Sequence, residues 1–117
     1  MYGKRTTERY SELLPGIKIK TLVYGQNTLM TQFNLKKGSE LPRHAHPYEQ
    51  IGFLVKGRLI LSIGDSKREV GVGDSWCIEP NVEHSAEVPE DAVAVEVFAP
   101  ARQDYLKHFS EEDAVRT

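Results

Sequence analysis

Apolar and polar residues alternate along much of this chain with the period of a half-buried β-strand. Ile17–Tyr24 opens on Ile-Lys-Ile-Lys, and Gly25-Gln26-Asn27 supplies a turn. Thr28–Leu35 then sets Leu29, Phe33 and Leu35 on one face against Gln32 and Asn34 on the other, ending at Lys36-Lys37-Gly38. Gln50–Val55 and Arg58–Ile63 read as two strands joined across Lys56-Gly57, with a tight turn at Gly64-Asp65-Ser66 and another bracketed by Gly71 and Gly73. Further strands are predicted near Trp76–Ile78, Ser85–Val88 and Ala92–Phe98. About eight short strands with glycines at the corners predict an all-β sandwich or barrel. After Pro100 one short helix is predicted over Arg102–Phe109, with Tyr105 and Phe109 on a common face. Residues 1–14 read as an irregular arm, 15–110 as one barrel domain and 111–117 as a polar, solvated tail.

Composition narrows the class. A chain of 117 residues, 39% hydrophobic and 27% charged, is long enough for one cored domain and too apolar for a disordered segment. The net charge of −2 carries no basic excess, so no nucleic-acid partner is expected. No apolar run reaches the roughly 18 residues of a membrane span, and the polar start Met1–Arg9 has no signal-like apolar stretch, so a cytoplasmic location is expected. Cys77 is the only cysteine, which excludes an intrachain disulfide; between Trp76 and Ile78 it reads as a small buried hydrophobe.

Candidate chemistry gathers at His44-Ala45-His46. On an extended segment side chains repeat every two residues, so both imidazoles face the same way and supply half of a metal site. A bare His-x-His is equally what an exposed loop carries, and the surroundings decide. Gly38 precedes it by six residues, Glu49-Gln50 follows, and Gly57 closes the next strand. A second block, Gly73-Asp-Ser-Trp-Cys-Ile-Glu-Pro-Asn-Val-Glu-His84, runs from a glycine-aspartate turn through a proline to one histidine.

Together, and in this order, the two blocks resemble the paired motifs of the cupin family over roughly residues 15–100. The resemblance implies a double-stranded β-helix, or jelly-roll barrel, with a short C-terminal helix. It also implies one divalent transition metal ion (Ni, Mn, Fe, Co or Zn) held by His44, His46, His84 and an acid or amide. Glu49 and Gln50 both compete for that fourth place. Gln50 shares the parity of the histidines, and glutamine is an accepted variant in the family, so Gln50 is preferred. Where many cupins have proline and glycine this chain has Glu79 and Asn81; Pro80 follows at once, and asparagine tolerates a left-handed backbone. Three imidazoles and a neutral amide leave the charge of an ion uncompensated, which favours an anionic ligand in its open positions.

A second cluster lies downstream. Alternation puts Val93, Val95 and Val97 on one face and Ala92, Ala94, Glu96 and Phe98 on the other. An ionisable Glu96 among small apolar neighbours calls for a partner or a cavity. Arg102 can either clamp a carboxylate or form a surface ion pair with Glu96. With residues 44–50, the stretch Val95–Leu106 resembles the small pectin-degradation cupins of the KdgF type, which open the ring of 4,5-unsaturated uronates. That resemblance implies Phe98 and Arg102 as substrate-binding residues and Glu96 and Arg102 as catalytic ones, with Glu96 standing where the group has aspartate. Two other functions fit the same ligand set: an iron-dependent dioxygenase and a non-catalytic binding module. A homodimer is expected, since apolar residues occupy both faces of 51–63. Trp76 and Tyr48 read as packing or rim aromatics, and His108 as a surface residue.

Overall fold

The computed structural model describes residues 1–117. Ten strands are present. They are β1 (Tyr2–Gly3), β2 (Ser11–Leu14), β3 (Ile17–Tyr24), β4 (Leu29–Leu35), β5 (Glu40–His44), β6 (Glu49–Ile63), β7 (Ser66–Gly71), β8 (Ser75–Ile78), β9 (His84–Ala99) and β10 (Ala114–Val115). The main sheet runs β2-β3-β4-β9-β6-β7, with β5 also on β9 and β8 also on β6, and every pairing is antiparallel. This is an all-β jelly-roll barrel closed by short C-terminal helical turns.

Two long strands build it. The first half of β6 and the second half of β9 pair with each other in a layer that also holds β4 and β8. Their other halves pair in the opposite layer, with β5 and β7. Residues predicted as separate strands on either side of Lys56-Gly57 are therefore one bent strand. Gln50, Gly52 and Leu54 are buried before the bend, Leu59 and Leu61 after it, so the inward parity switches from even to odd. One extra residue in a bulge does this while keeping apolar side chains inside on both sides. Gly57 makes the bulge possible: its φ is +79°, and a Cβ there would lie 2.1 Å from the Asp91 carbonyl oxygen. The segments predicted as 85–88 and 92–98 likewise form one strand, β9.

Between the layers lie Ile17, Ile19, Leu29, Phe33, Leu54, Ile78, Ala94 and Phe98, among seventeen buried apolar residues. The alternation read in β4 holds, with Leu29, Thr31, Phe33 and Leu35 inward.

The ends of the chain differ from expectation. Ser11–Leu14 is a strand on β3, and Tyr2–Gly3 pairs with Ala114–Val115, so the supposed arm and tail hold each other. Asp113, inside the presumed solvated tail, is buried against Lys20 at 2.5 Å and Arg9 at 2.7 Å. Lys20 is only 2% exposed. The expected helix is a 3₁₀ turn, Gln103–His108, whose Tyr105 packs on Phe98 and Phe33 while Phe109 turns to Tyr24. With i to i+3 bonding the two aromatics no longer share a face. Cys77 is exposed, not buried: with Trp76 and Ile78 both inward, the strand period aims it outward. His108 is half-buried against the Tyr105 ring, and its Nε2 is enclosed without a partner. No helix is long and apolar enough to cross a membrane.

Candidate metal centre

His44 ends β5 and His84 begins β9; the two are register partners across that pair of strands. His46 lies in the loop that follows, two residues beyond β5. That loop is held by the second motif, since Asn81, with φ +67°, donates its N–H to the His46 carbonyl at 2.8 Å. One candidate ligand atom from each of the three histidines falls within 4.8 Å of the others.

The ring nitrogens divide their labour. Each Nδ1 meets a backbone carbonyl two residues away: His44 that of Pro42 at 2.7 Å, His46 that of Tyr48 at 3.1 Å, His84 that of Val82 at 2.9 Å. A carbonyl can only accept, so each Nδ1 carries the proton and each Nε2 keeps its lone pair for another partner. His84 Nε2 is buried and has no protein partner, although the residue is only 1% exposed. A buried polar atom left without a bond is costly, and a cation at this point would satisfy it. The donor set therefore fits a divalent transition ion.

Electrostatics agree. Burial pushes the His84 imidazole down to about 4; the Val82 carbonyl opposes this, and His44, His46 and Arg102 reinforce it. Burial also lowers the His46 imidazole, while the Gln50 amide oxygen, an acceptor that favours the protonated ring, opposes it. Both rings are thus neutral near pH 7, the form that binds metals.

Gln50, on β6, is 4% exposed and brings Oε1 to 2.9 Å from His46 Nε2, whereas Glu49 faces solvent. Of the two candidates only Gln50 joins the cluster. Phe98 lies opposite it on β9, buried, its ring centroid 5.9 Å from that of His46 in a T-shaped arrangement. Glu96, two residues earlier on the same inward face, accepts a hydrogen bond from the Trp76 indole at 2.9 Å. Burial raises the Glu96 pKa, while Gln50, Trp76 and Arg102 pull it back. Arg102 does not pair with Glu96. Its Nε binds Asp104 at 3.0 Å, and its guanidinium lies 3.9 Å from the centre of the Tyr105 ring, with Phe98 and Tyr48 close by.

Trp76 is therefore more than a packing aromatic. It meets Glu96 over Gly52, the register partner of both, where a Cβ would lie 2.2 Å from the indole ring. Sequence alone assigned Gly52 no role. The signal for Gly52 was its place on the inward parity of β6, where a large apolar residue is otherwise expected.

The hollow beneath the histidines, lined by Gln50, Trp76, His84 and Glu96, holds about 30 Å³, room for a water molecule and not for a sugar ring. Larger hollows of about 470 and 590 Å³ lie on the outer surface, away from the imidazoles. The imidazole cluster is open to solvent at the barrel mouth, on the side where His44 and Arg102 are half-exposed.

A jelly-roll barrel with three inward imidazoles on two separated motifs defines a class, and the chain belongs to it: the family profile described as the cupin domain matches residues 31–99. Within that family it resembles KdgF. It is 28% identical over 99 residues to the pectin degradation protein KdgF of Dickeya dadantii, covering 83% of this chain and 90% of that protein. It is 29% identical over 98 residues to the H2HPP isomerase of Bacillus subtilis, covering 82% of this chain but only 42% of that longer protein. The solved structure of KdgF from Halomonas sp. superposes with a TM-score of 0.84 at 23% identity, over 89% of this chain and 96% of that one. An RmlC-like cupin from Shewanella frigidimarina gives 0.81 at 25% identity, over 87% and 94%.

Proposed function

We propose that this chain is a metal-dependent cupin enzyme that isomerises a small anionic sugar, with ring opening of a 4,5-unsaturated uronate as the specific reaction. The observation that carries the reading is Arg102, a guanidinium fixed over three aromatic rings at the mouth, close enough to lower both His46 and His84. Asp104 takes its Nε and no protein group bonds its two Nη nitrogens, which suits them to a carboxylate.

His44, His46, Gln50 and His84 would hold the ion, which supplies Lewis-acid polarisation of a substrate oxygen. Arg102 binds the uronate carboxylate, and Phe98 and Tyr48 form the wall beside it. The reaction leaves composition unchanged: the C1–O5 bond breaks, the anomeric hydroxyl becomes the aldehyde, and C4 gains the proton that the hydroxyl loses. Glu96, with its raised pKa beside Gln50, is the residue assigned to carry that proton. The isomerase name of the Bacillus relative and the pectin-degradation name of the Dickeya relative both favour redox-neutral chemistry over oxygen activation.

The same reading pairs two copies through the outer face shared by β4, β9, β6 and β8. Ile51, Phe53 and Val55 are each 48% exposed there, beside Met30, Val95 and Val97. A contiguous apolar face of this kind marks an association surface.

The test is the ultraviolet absorbance of unsaturated galacturonate, which disappears with the conjugated alkene. Metal-loaded protein should speed the decay, and R102K should slow it at least tenfold. Decay at the protein-free rate rejects the uronate assignment.

A further inference from the structure

Arg102, Asp104 and Tyr105 belong to one turn. Arg102 caps the 3₁₀ stretch Gln103–His108, and its carbonyl accepts a hydrogen bond from the Tyr105 N–H at 3.0 Å. Closing the chain over three residues brings the two side chains together. The guanidinium carbon of Arg102 lies 3.9 Å from the centre of the Tyr105 ring. That is too close for any position beside the ring edge, so the cation sits on the face, where the π cloud is negative. Phe98 and Tyr48 are farther off, at 5.2 and 5.3 Å.

Tyr105 is a fixed support. Its ring is buried and meets Phe98 in a T-shaped arrangement, with centroids 5.3 Å apart. Its carbonyl accepts a hydrogen bond of 2.6 Å from the buried hydroxyl of Thr21 on β3. Asp104 adds a second constraint, since its carboxylate oxygens accept from Arg102 Nε at 3.0 and 3.2 Å. With one face on a ring and Nε taken, what remains of the guanidinium is its pair of Nη nitrogens. That fork matches the two oxygens of a carboxylate. An arginine free in solvent loses rotamer freedom when it binds an anion, whereas here that freedom is already lost on folding.

We infer that Tyr105 is a positioning residue which, with Asp104, preassembles Arg102 as a carboxylate clamp. This rests on the proposed reading of Arg102 as the group that binds the substrate carboxylate. The ring face supports the cation and the phenol hydroxyl takes no part, so phenylalanine should serve at position 105 as well as tyrosine.

The experiment is a calorimetric titration with D-galacturonate, which carries the carboxylate without the reacting alkene. It compares the wild type, Y105F, Y105L, R102K and Y105L/R102K in the presence of cobalt(II), with circular dichroism and melting to check each fold. Expected is about tenfold weaker binding for Y105L, and binding within about twofold of the wild type for Y105F. Added to R102K, whose compact ammonium has no planar face to lay on the ring, Y105L should cost less than about twofold more. Y105M serves in place of Y105L if that variant does not fold. NMR of the wild-type guanidinium groups needs no variant of Tyr105. The ring should move the Arg102 Nε–H signal, assigned by its loss in R102K, away from those of exposed arginines, and D-galacturonate should move it again. Wild-type affinity in Y105L, a tenfold loss in Y105F, an equal loss with and without Arg102, or an Arg102 signal among those of the exposed arginines overturns the inference. Each leaves the uronate assay as an independent test of the proposed reaction. A wild type that binds no D-galacturonate overturns this inference and the carboxylate reading of Arg102 together.

Discussion

His44 and His84 stand with ring centroids 4.2 Å apart because they face each other across the last register position of β5 and β9. Thirty-nine residues of intervening chain are spanned when strand pairing brings the two to one point, and the sheet holds the imidazoles in place. H84A should therefore leave the apoprotein folded and weaken cobalt(II) binding by at least about 100-fold, since it removes a ligand rather than an outer partner. Calorimetry on the two proteins checks this; near-wild-type affinity in H84A would mean that the cluster does not form the metal site.

Stability of the apoprotein should fall in mild acid. The folded pKa of His84, about 4, lies below its ordinary value of 6.5, so between the two the unfolded chain binds a proton that the folded chain refuses. The His84 contribution is complete above the ordinary value and is lost as pH drops toward the folded one, up to about 3 kcal/mol. His46 adds in the same direction. Glu96 opposes, because a carboxyl with a raised pKa favours the folded state as it protonates. Urea denaturation from about pH 7 to about pH 4.5 should show the decline, and H84A should flatten it.

Substitution at Gly57 should damage the fold more than its position outside the core suggests. G57A meets a backbone carbonyl and must also hold a left-handed conformation. A loss of about 3 kcal/mol or more is expected in urea denaturation. A loss below about 1 kcal/mol would show that the bend in β6 does not need glycine.

The buried pair of Lys20 and Asp113 predicts an asymmetry between single and double substitution. D113A leaves a buried ammonium without its carboxylate and should cost about 3–5 kcal/mol, while K20M/D113L, which removes both charges, should recover most of it. Equal losses in the single and double variants would assign the effect to packing alone. Chemical denaturation measures both.

F53E tests the outer face. It should shift gel filtration from dimer to monomer and leave cobalt(II) affinity within about twofold, because Phe53 points away from the metal centre. A wild type that elutes as a monomer removes the dimer.

Much of the site was legible in the chain. Parity and the family resemblance together favoured Gln50 over Glu49; the segment bends at Pro47-Tyr48, so Gln50 turns inward through its own place on β6, where inward residues recur every two positions. The same rule applied to Trp76, Cys77 and Ile78 gives an outward cysteine, so reading Cys77 as buried ignored a signal that was present. Lys56-Gly57 was misleading for a physical reason: a bulge and a hairpin turn ask for the same left-handed glycine, and local sequence does not distinguish a bend from a reversal.

Strand period and turn glycines were enough to predict an all-β sandwich or barrel, since these depend on neighbours only a few residues away, and the resemblance of two histidine motifs to the cupin family named the inward imidazoles. Tertiary structure alone decided that Trp76 meets Glu96 over Gly52, that Asp113 lies buried beside Lys20, and that Arg102 stacks on aromatics instead of pairing with Glu96. Each of these joins side chains across a strand or around a turn, and such contacts depend on register and on which direction the chain takes after Pro100, quantities set by the packing of the whole barrel.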